Sequence, residues 1–109
     1  MSKQQSGIEL GTWVIRSEEV LDSEVDGEIV MMSIAQGTYS GLDNIGSEIW
    51  RLIETPRRVS EICDAMMERY DVERETCERD VLLFLNDLAS DETIQVVEKN
   101  DPVFSPPLA

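Results

Sequence analysis

This chain of 109 residues has no histidine, two cysteines and nine basic side chains. Each shortage removes a class of function. Without histidine the commonest general base at neutral pH is missing. A structural zinc site, which generally wants four Cys or His ligands, is short of donors. Cys63 and Cys77 have no CxxC spacing and sit beside apolar residues in helical patterns, so they read as buried free thiols acting as small hydrophobes. No apolar run approaches the roughly 20 residues that cross a bilayer. The opening MSKQQSGIELGTW lacks the apolar stretch of a secretory signal. The expected address is therefore the cytoplasm, with no membrane partner.

The deepest shortage is of positive charge. Against those nine Lys and Arg stand 23 Asp and Glu, for a net charge of -14. DNA binding is driven largely by Lys and Arg neutralising phosphates and releasing counterions, so a nucleic-acid partner is not expected. No phosphate loop, nucleophile elbow or catalytic triad is present. Carboxylates are so abundant that any pairing of them is uninformative. No enzyme activity, metal or cofactor is expected.

What remains is an ordinary globular chain, 41% hydrophobic and 29% charged, with room for one domain and one core. Residues 1–11 are polar and read as a flexible N-terminus. Residues 12–98 form the folded domain, and residues 99–109, which hold three of the four prolines, read as a mobile tail. Thr12–Arg16 suits a short strand with Trp13 packed on the body. Val20–Val25 ends at Asp26-Gly27, a dipeptide made for a tight hairpin turn. Glu28–Ile34 is apolar on both faces and reads as a central, well-covered strand. Thr38–Leu42 returns as a third, giving a three-stranded antiparallel meander.

Three helices follow. Asp43 or Asn44 caps the first, with Ile45, Ile49, Leu52 and Ile53 at helical spacing, and Thr55-Pro56 ends it. Val59, Ile62, Cys63, Met66, Met67 and Tyr70 outline the second, with Ser60 as its expected cap and Arg57-Arg58 as a solvated turn before it. Cys77, Val81, Phe84, Leu85 and Leu88 make the core stripe of the third, and Thr93–Val97 can close back as a strand. The expectation is an α+β fold, a winged helix-turn-helix in which a three-stranded antiparallel sheet is followed by three helices. That scaffold is usually met on DNA, and the charge says that this copy binds something else.

The words YSGLDNIGSEIW, then a Val-x-Glu-Ile helix ending MMERYDV, then ERDVLLFLNDL, cover more than half the chain in order. Together they resemble the PqqD-like family, the precursor-peptide recognition elements of ribosomal peptide biosynthesis. Members dedicated to pyrroloquinoline quinone show Leu-Asn-x-Thr-Ala before the first helix. Here Leu42-Asp43-Asn44-Ile45-Gly46 and the Ile49-Trp50 pair look closer to the free-standing lasso-peptide type. The resemblance implies non-catalytic binding of a precursor's leader segment, which adds as a strand and is presented to a protease, cyclase or radical enzyme. A PqqD-type chaperone in pyrroloquinoline quinone biosynthesis is the alternative. A winged-helix regulator and a structural adaptor are weaker ones.

Carried onto this sequence, the resemblance puts the receiving edge at Gly37, Thr38, Tyr39, Ser40, Gly41 and Leu42, beside the helix Thr76–Leu88. An edge strand offers unpaired N–H and C=O groups, and selectivity then comes from pockets for alternate side chains. On the helix one flank groups Thr76, Asp80, Leu83 and Asp87. If it faces the groove, Leu83 touches an apolar anchor and the two acids meet donors on the leader. Phe84, at the boundary, serves both core and groove. In the other reading the leucine covers a loop and the acids are solvated. Tyr39 likewise either flanks the bound strand or packs on a cross-strand partner. The same edge could pair with a second copy, leaving a homodimer open.

Overall fold

A computed structural model of the chain describes residues 7–34 and 36–98. The expectations for residues 1–6 and 99–109 lie outside them. Strands β1 (Trp13–Arg16), β2 (Val20–Val25), β3 (Glu28–Ser33) and β4 (Thr38–Gly41) precede α1 (Asn44–Leu52). A two-residue strand β5 (Arg57–Arg58), α2 (Val59–Arg69), α3 (Arg74–Ser90) and β6 (Ile94–Val97) complete the chain.

The meander forms as expected, in the order β2-β3-β4, and is antiparallel throughout. Asp26 and Gly27, at φ 54° and 84°, make the tight β2–β3 turn whose backbone twist suits a hairpin. The fold is α+β, but it holds a second sheet that the expected arrangement omits. Its order is β5-β1-β6, so β1 pairs with strands from after the first and third helices. The reason is packing: Val14 is fully buried, and its strand needs backbone partners on both sides. The three-stranded antiparallel sheet followed by three helices is therefore only part of the arrangement.

Arg57 and Arg58 are not a solvated turn. They pair with Val14 and Trp13, the Arg58 guanidinium stacks 5.0 Å from the Trp13 ring centre, and Arg57 Nε donates to the Leu52 carbonyl. Ser60 is not a cap either. Helix α2 starts at Val59, with the Glu61 carboxylate accepting from the Arg58 N–H at 3.2 Å. The Ser60 N–H instead donates to the Leu10 carbonyl. Leu10 packs on the core and Ile8 is buried, so residues 8–10 are held to the body.

Trp50, Ile49, Ile53, Ile62, Leu85 and Val14 form the centre of the core. Trp50 also ties the two sheets together. Its Nε1 donates to Asp22 Oδ2 at 2.7 Å, and Arg16 both pairs with that carboxylate at 3.1 Å and donates to the Trp50 carbonyl. Ser47, fully buried, donates to the Leu42 carbonyl and accepts from the Ile29 N–H. It thereby pins α1 to the ends of β3 and β4. Strand β3 is covered on one face alone. Ile29, Met31 and Ser33 are buried, whereas Met32 is 49% and Ile34 61% exposed.

Candidate functional site

Two hydrogen bonds establish how the meander presents its edges. The Ile34 N–H donates to the Glu19 carbonyl at 3.0 Å, and the Leu42 N–H to the Ile29 carbonyl at 2.8 Å. Directly opposed residues in an antiparallel ladder alternate between bonded and non-bonded pairs. With the observed register, Val30 and Met32 bond to β2, while Met31 and Ser33 bond to β4. Thr38 and Ser40 therefore turn their amides inward to β3. Tyr39 and Gly41 turn theirs outward. No strand among the described residues pairs with that side of β4, so two N–H and two C=O groups line an open edge.

The edge is shorter than the six residues from Gly37 to Leu42. Leu42 is buried and its amide is engaged by Ile29, and the Gly37 amide closes the turn on the Ser33 carbonyl. Gly37 sits at φ +67°, a left-handed conformation that glycine adopts without penalty. The alternation of side chains along the strand splits the remaining residues. Thr38 and Ser40 face inward and line a cleft of about 230 Å³ with Met31, Ser33, Gln36, Asp91 and Thr93. Tyr39, 75% exposed, faces the opposite side with Leu21, Val30 and Met32.

Helix α3 reaches this cleft at its C-terminal end, through Asp91, and is anchored at two points. Near its end, Gln36 Nε2 donates to the Asp91 carbonyl at 2.8 Å. In its middle, the Phe84 ring lies against α1, where an added Cβ on Gly46 would come within 3.2 Å of it. Asp43 caps α1 through a 2.7 Å bond to the Gly46 N–H, which settles the choice between Asp43 and Asn44. Of the flank drawn on α3, Leu83 is 65% exposed, Asp80 and Asp87 are exposed, and Thr76 is half-buried. Asp80 stands with Ile45, Met66, Tyr70, Val72, Cys77 and Val81 around a smaller apolar cleft of about 120 Å³. Ile45, expected in the core stripe of α1, is half exposed there.

The structure thus joins Thr38 and Ser40 to one cleft and Asp80 to another, with Phe84 seated between α3 and α1. It separates Tyr39 and Gly41 from both, onto the outer sheet face. Gln36, Asp91 and Thr93 were missed, because the contact that gathers them spans 55 residues and leaves no local pattern.

Both arginines of α3 are occupied by carboxylates. Arg74 pairs with Asp64 and Glu78, and Arg79 with Asp80 at 3.7 Å. Both thiols are free and buried. Burial pushes Cys63 up to about 12 and raises Cys77 as well. Among the described residues no group of three or more His, Cys, Asp or Glu could hold a metal, and no helix is long and apolar enough to cross a membrane.

Comparison with known proteins bears on the same region. The family model described as coenzyme PQQ synthesis protein D (PqqD) matches residues 28–94. The solved structure "TbiB1 in Complex with the TbiA(beta) Leader Peptide" is similar at 40% identity and a TM-score of 0.72, covering 78% of this chain and 99% of that one. "Lasso peptide synthetase B1 complexed with the leader peptide" matches at 18% identity and a TM-score of 0.69, over 75% and 96% of the two chains. At that identity it speaks to the fold alone. No curated protein matches significantly.

Proposed function

The chain belongs to the PqqD family, and on that premise we propose that it binds the leader segment of a ribosomally made precursor peptide and presents it to a modifying enzyme. The leader adds as a strand beside β4, taking the outward N–H and C=O groups of Tyr39 and Gly41. Main-chain pairing of this kind gives affinity without reading sequence. The single observation that carries the reading is that unpaired edge, uncharged along Thr38–Gly41 in a molecule of net charge -14.

On the helix side, Asp87, Leu83, Phe84 and Asp80, with Thr76 beyond, are the proposed side-chain contacts. Thr38 and Ser40 meet the leader's inward side chains, and the Gly37 and Leu42 positions mark the ends of the groove. The protein acts by binding and not by catalysis, and it works in the lasso-peptide type of pathway. Support comes from the 40% identical TbiB1, whose structure holds a leader peptide, and from the Gly46 and Ile49-Trp50 features. A DNA-binding role is disfavoured because α3 carries no arginine without a carboxylate partner.

The test is fluorescence anisotropy with a labelled TbiA(beta) leader peptide. Saturable binding that varies little with salt is expected. No binding of that peptide, together with nucleic-acid binding that falls steeply with salt, would replace this reading with the regulator.

A further inference from the structure

We infer that Gly41 is a specificity determinant, a gap in the outer sheet face that takes one large, non-acidic side chain of the added strand. The inference rests on the strand-addition reading above and adds the chemistry of the residue that is read. The outer face is built of cross-strand rows. One row is Leu21–Met32–Tyr39 and the next is Ser23–Val30–Gly41, each member directly opposite its neighbour. The first row ends at the open edge in a large ring. The second ends in no side chain at all.

A strand bonded to the outward groups of Tyr39 and Gly41 must place the residues opposite them on this same face, because paired residues share a side of the sheet. Its residue beside Tyr39 meets the ring. Its residue beside Gly41 meets an opening. There the protein shows a cleft of about 490 Å³, lined by Val25, Val30, Gly41 and Leu42 with Asp26, Glu28 and Asp43 at its polar side. On the outer face Val25 and Val30 offer apolar contact to a large side chain. Asp26, Glu28 and Asp43, whose carboxylate already caps α1, are among the lining residues. Their charge repels Asp or Glu and favours a long stem carrying a cation, which can bury its methylenes and keep its head at the acids.

Glycine is not needed at position 41 for the backbone. Its φ is not positive, and an added Cβ would meet nothing within 4 Å. A branched side chain suits a strand better than glycine does. Gly41→Val should therefore fold at least as well as the parent while filling the gap.

The experiment measures anisotropy of the labelled TbiA(beta) leader peptide on the parent, Gly41→Val, Gly41→Ala and Tyr39→Pro, with thermal melts of each. We expect about a tenfold loss for Gly41→Val, the order of burying one large side chain, and a smaller loss for Gly41→Ala, with melting unchanged or raised. A glycine scan of the peptide should find one position whose replacement weakens the parent and has no effect on Gly41→Val, the coupling expected of two groups in contact. Equal affinity of parent and Gly41→Val, with Tyr39→Pro impaired, overturns the gap and leaves strand addition standing. Failure of the parent to bind overturns both. If Gly41→Val melts early, the Gly41→Ala affinity and its peptide scan decide the matter on the same terms.

Discussion

Among the described residues the meander has two unpaired edges, and they are built in opposite ways. On β2 the outward-facing amides belong to Asp22 and Glu24, by the same alternation that points Tyr39 and Gly41 away from β3. Both carry charge. Asp22 is held by Arg16 and Trp50, and Glu24 pairs with Arg51 at 3.1 Å. Charged side chains along an exposed edge are a standard defence against another strand. Strand β4, Thr-Tyr-Ser-Gly, has none. One sheet therefore guards one rim and leaves the other receptive. The undefended rim is also the one near Asp91, where α3 ends.

The largest effect expected from breaking this arrangement is on the guarded side. Trp50→Ala removes a fully buried ring and the donor that holds Asp22. It should cost about 3–5 kcal/mol in urea unfolding. Ser47→Ala strips a buried hydroxyl from between the Ile29 amide and the Leu42 carbonyl. A loss of about 1–3 kcal/mol is expected, with β4 loosened at its junction with α1.

Proline substitutions sharpen the comparison directly. Tyr39→Pro and Glu24→Pro each delete an outward donor and no β3 bond. Both should retain the fold by circular dichroism. Tyr39→Pro should weaken leader binding about tenfold, as expected for a lost hydrogen bond, and Glu24→Pro should leave it unchanged. Ser40→Pro removes an amide that faces β3 and should instead destabilise the hairpin. Smallest is Leu83→Ala. Its side chain is exposed, so stability should move by less than about 0.5 kcal/mol. Any larger drop in leader affinity would assign Leu83 to the groove.

How legible all this was follows from what each feature depends on. The meander, the Asp26-Gly27 turn, the Asp43 cap and the three helices rest on local chemistry, and the residues declare it. The second sheet does not. Arg57 and Arg58 look like a solvated turn until Trp13 and Val14, more than forty positions earlier, supply the partners. Met32 and Ile34 look like core because apolar residues occupy both faces of this stretch, yet both are exposed among the described residues. At the site, Tyr39 was singled out by residue type and found on the face opposite the cleft. Gly41 was included as backbone alone. Its place at the end of a cross-strand row appears only when the register is known.

The most direct measurement is amide hydrogen exchange by NMR, with and without the leader peptide. The amides of Thr38 and Ser40, bonded to β3, should be protected in both states. Those of Tyr39 and Gly41 should exchange freely alone and become slow on binding. Protection that arises instead at Asp22 and Glu24, with Tyr39 and Gly41 unchanged in a saturated complex, would contradict strand addition at β4.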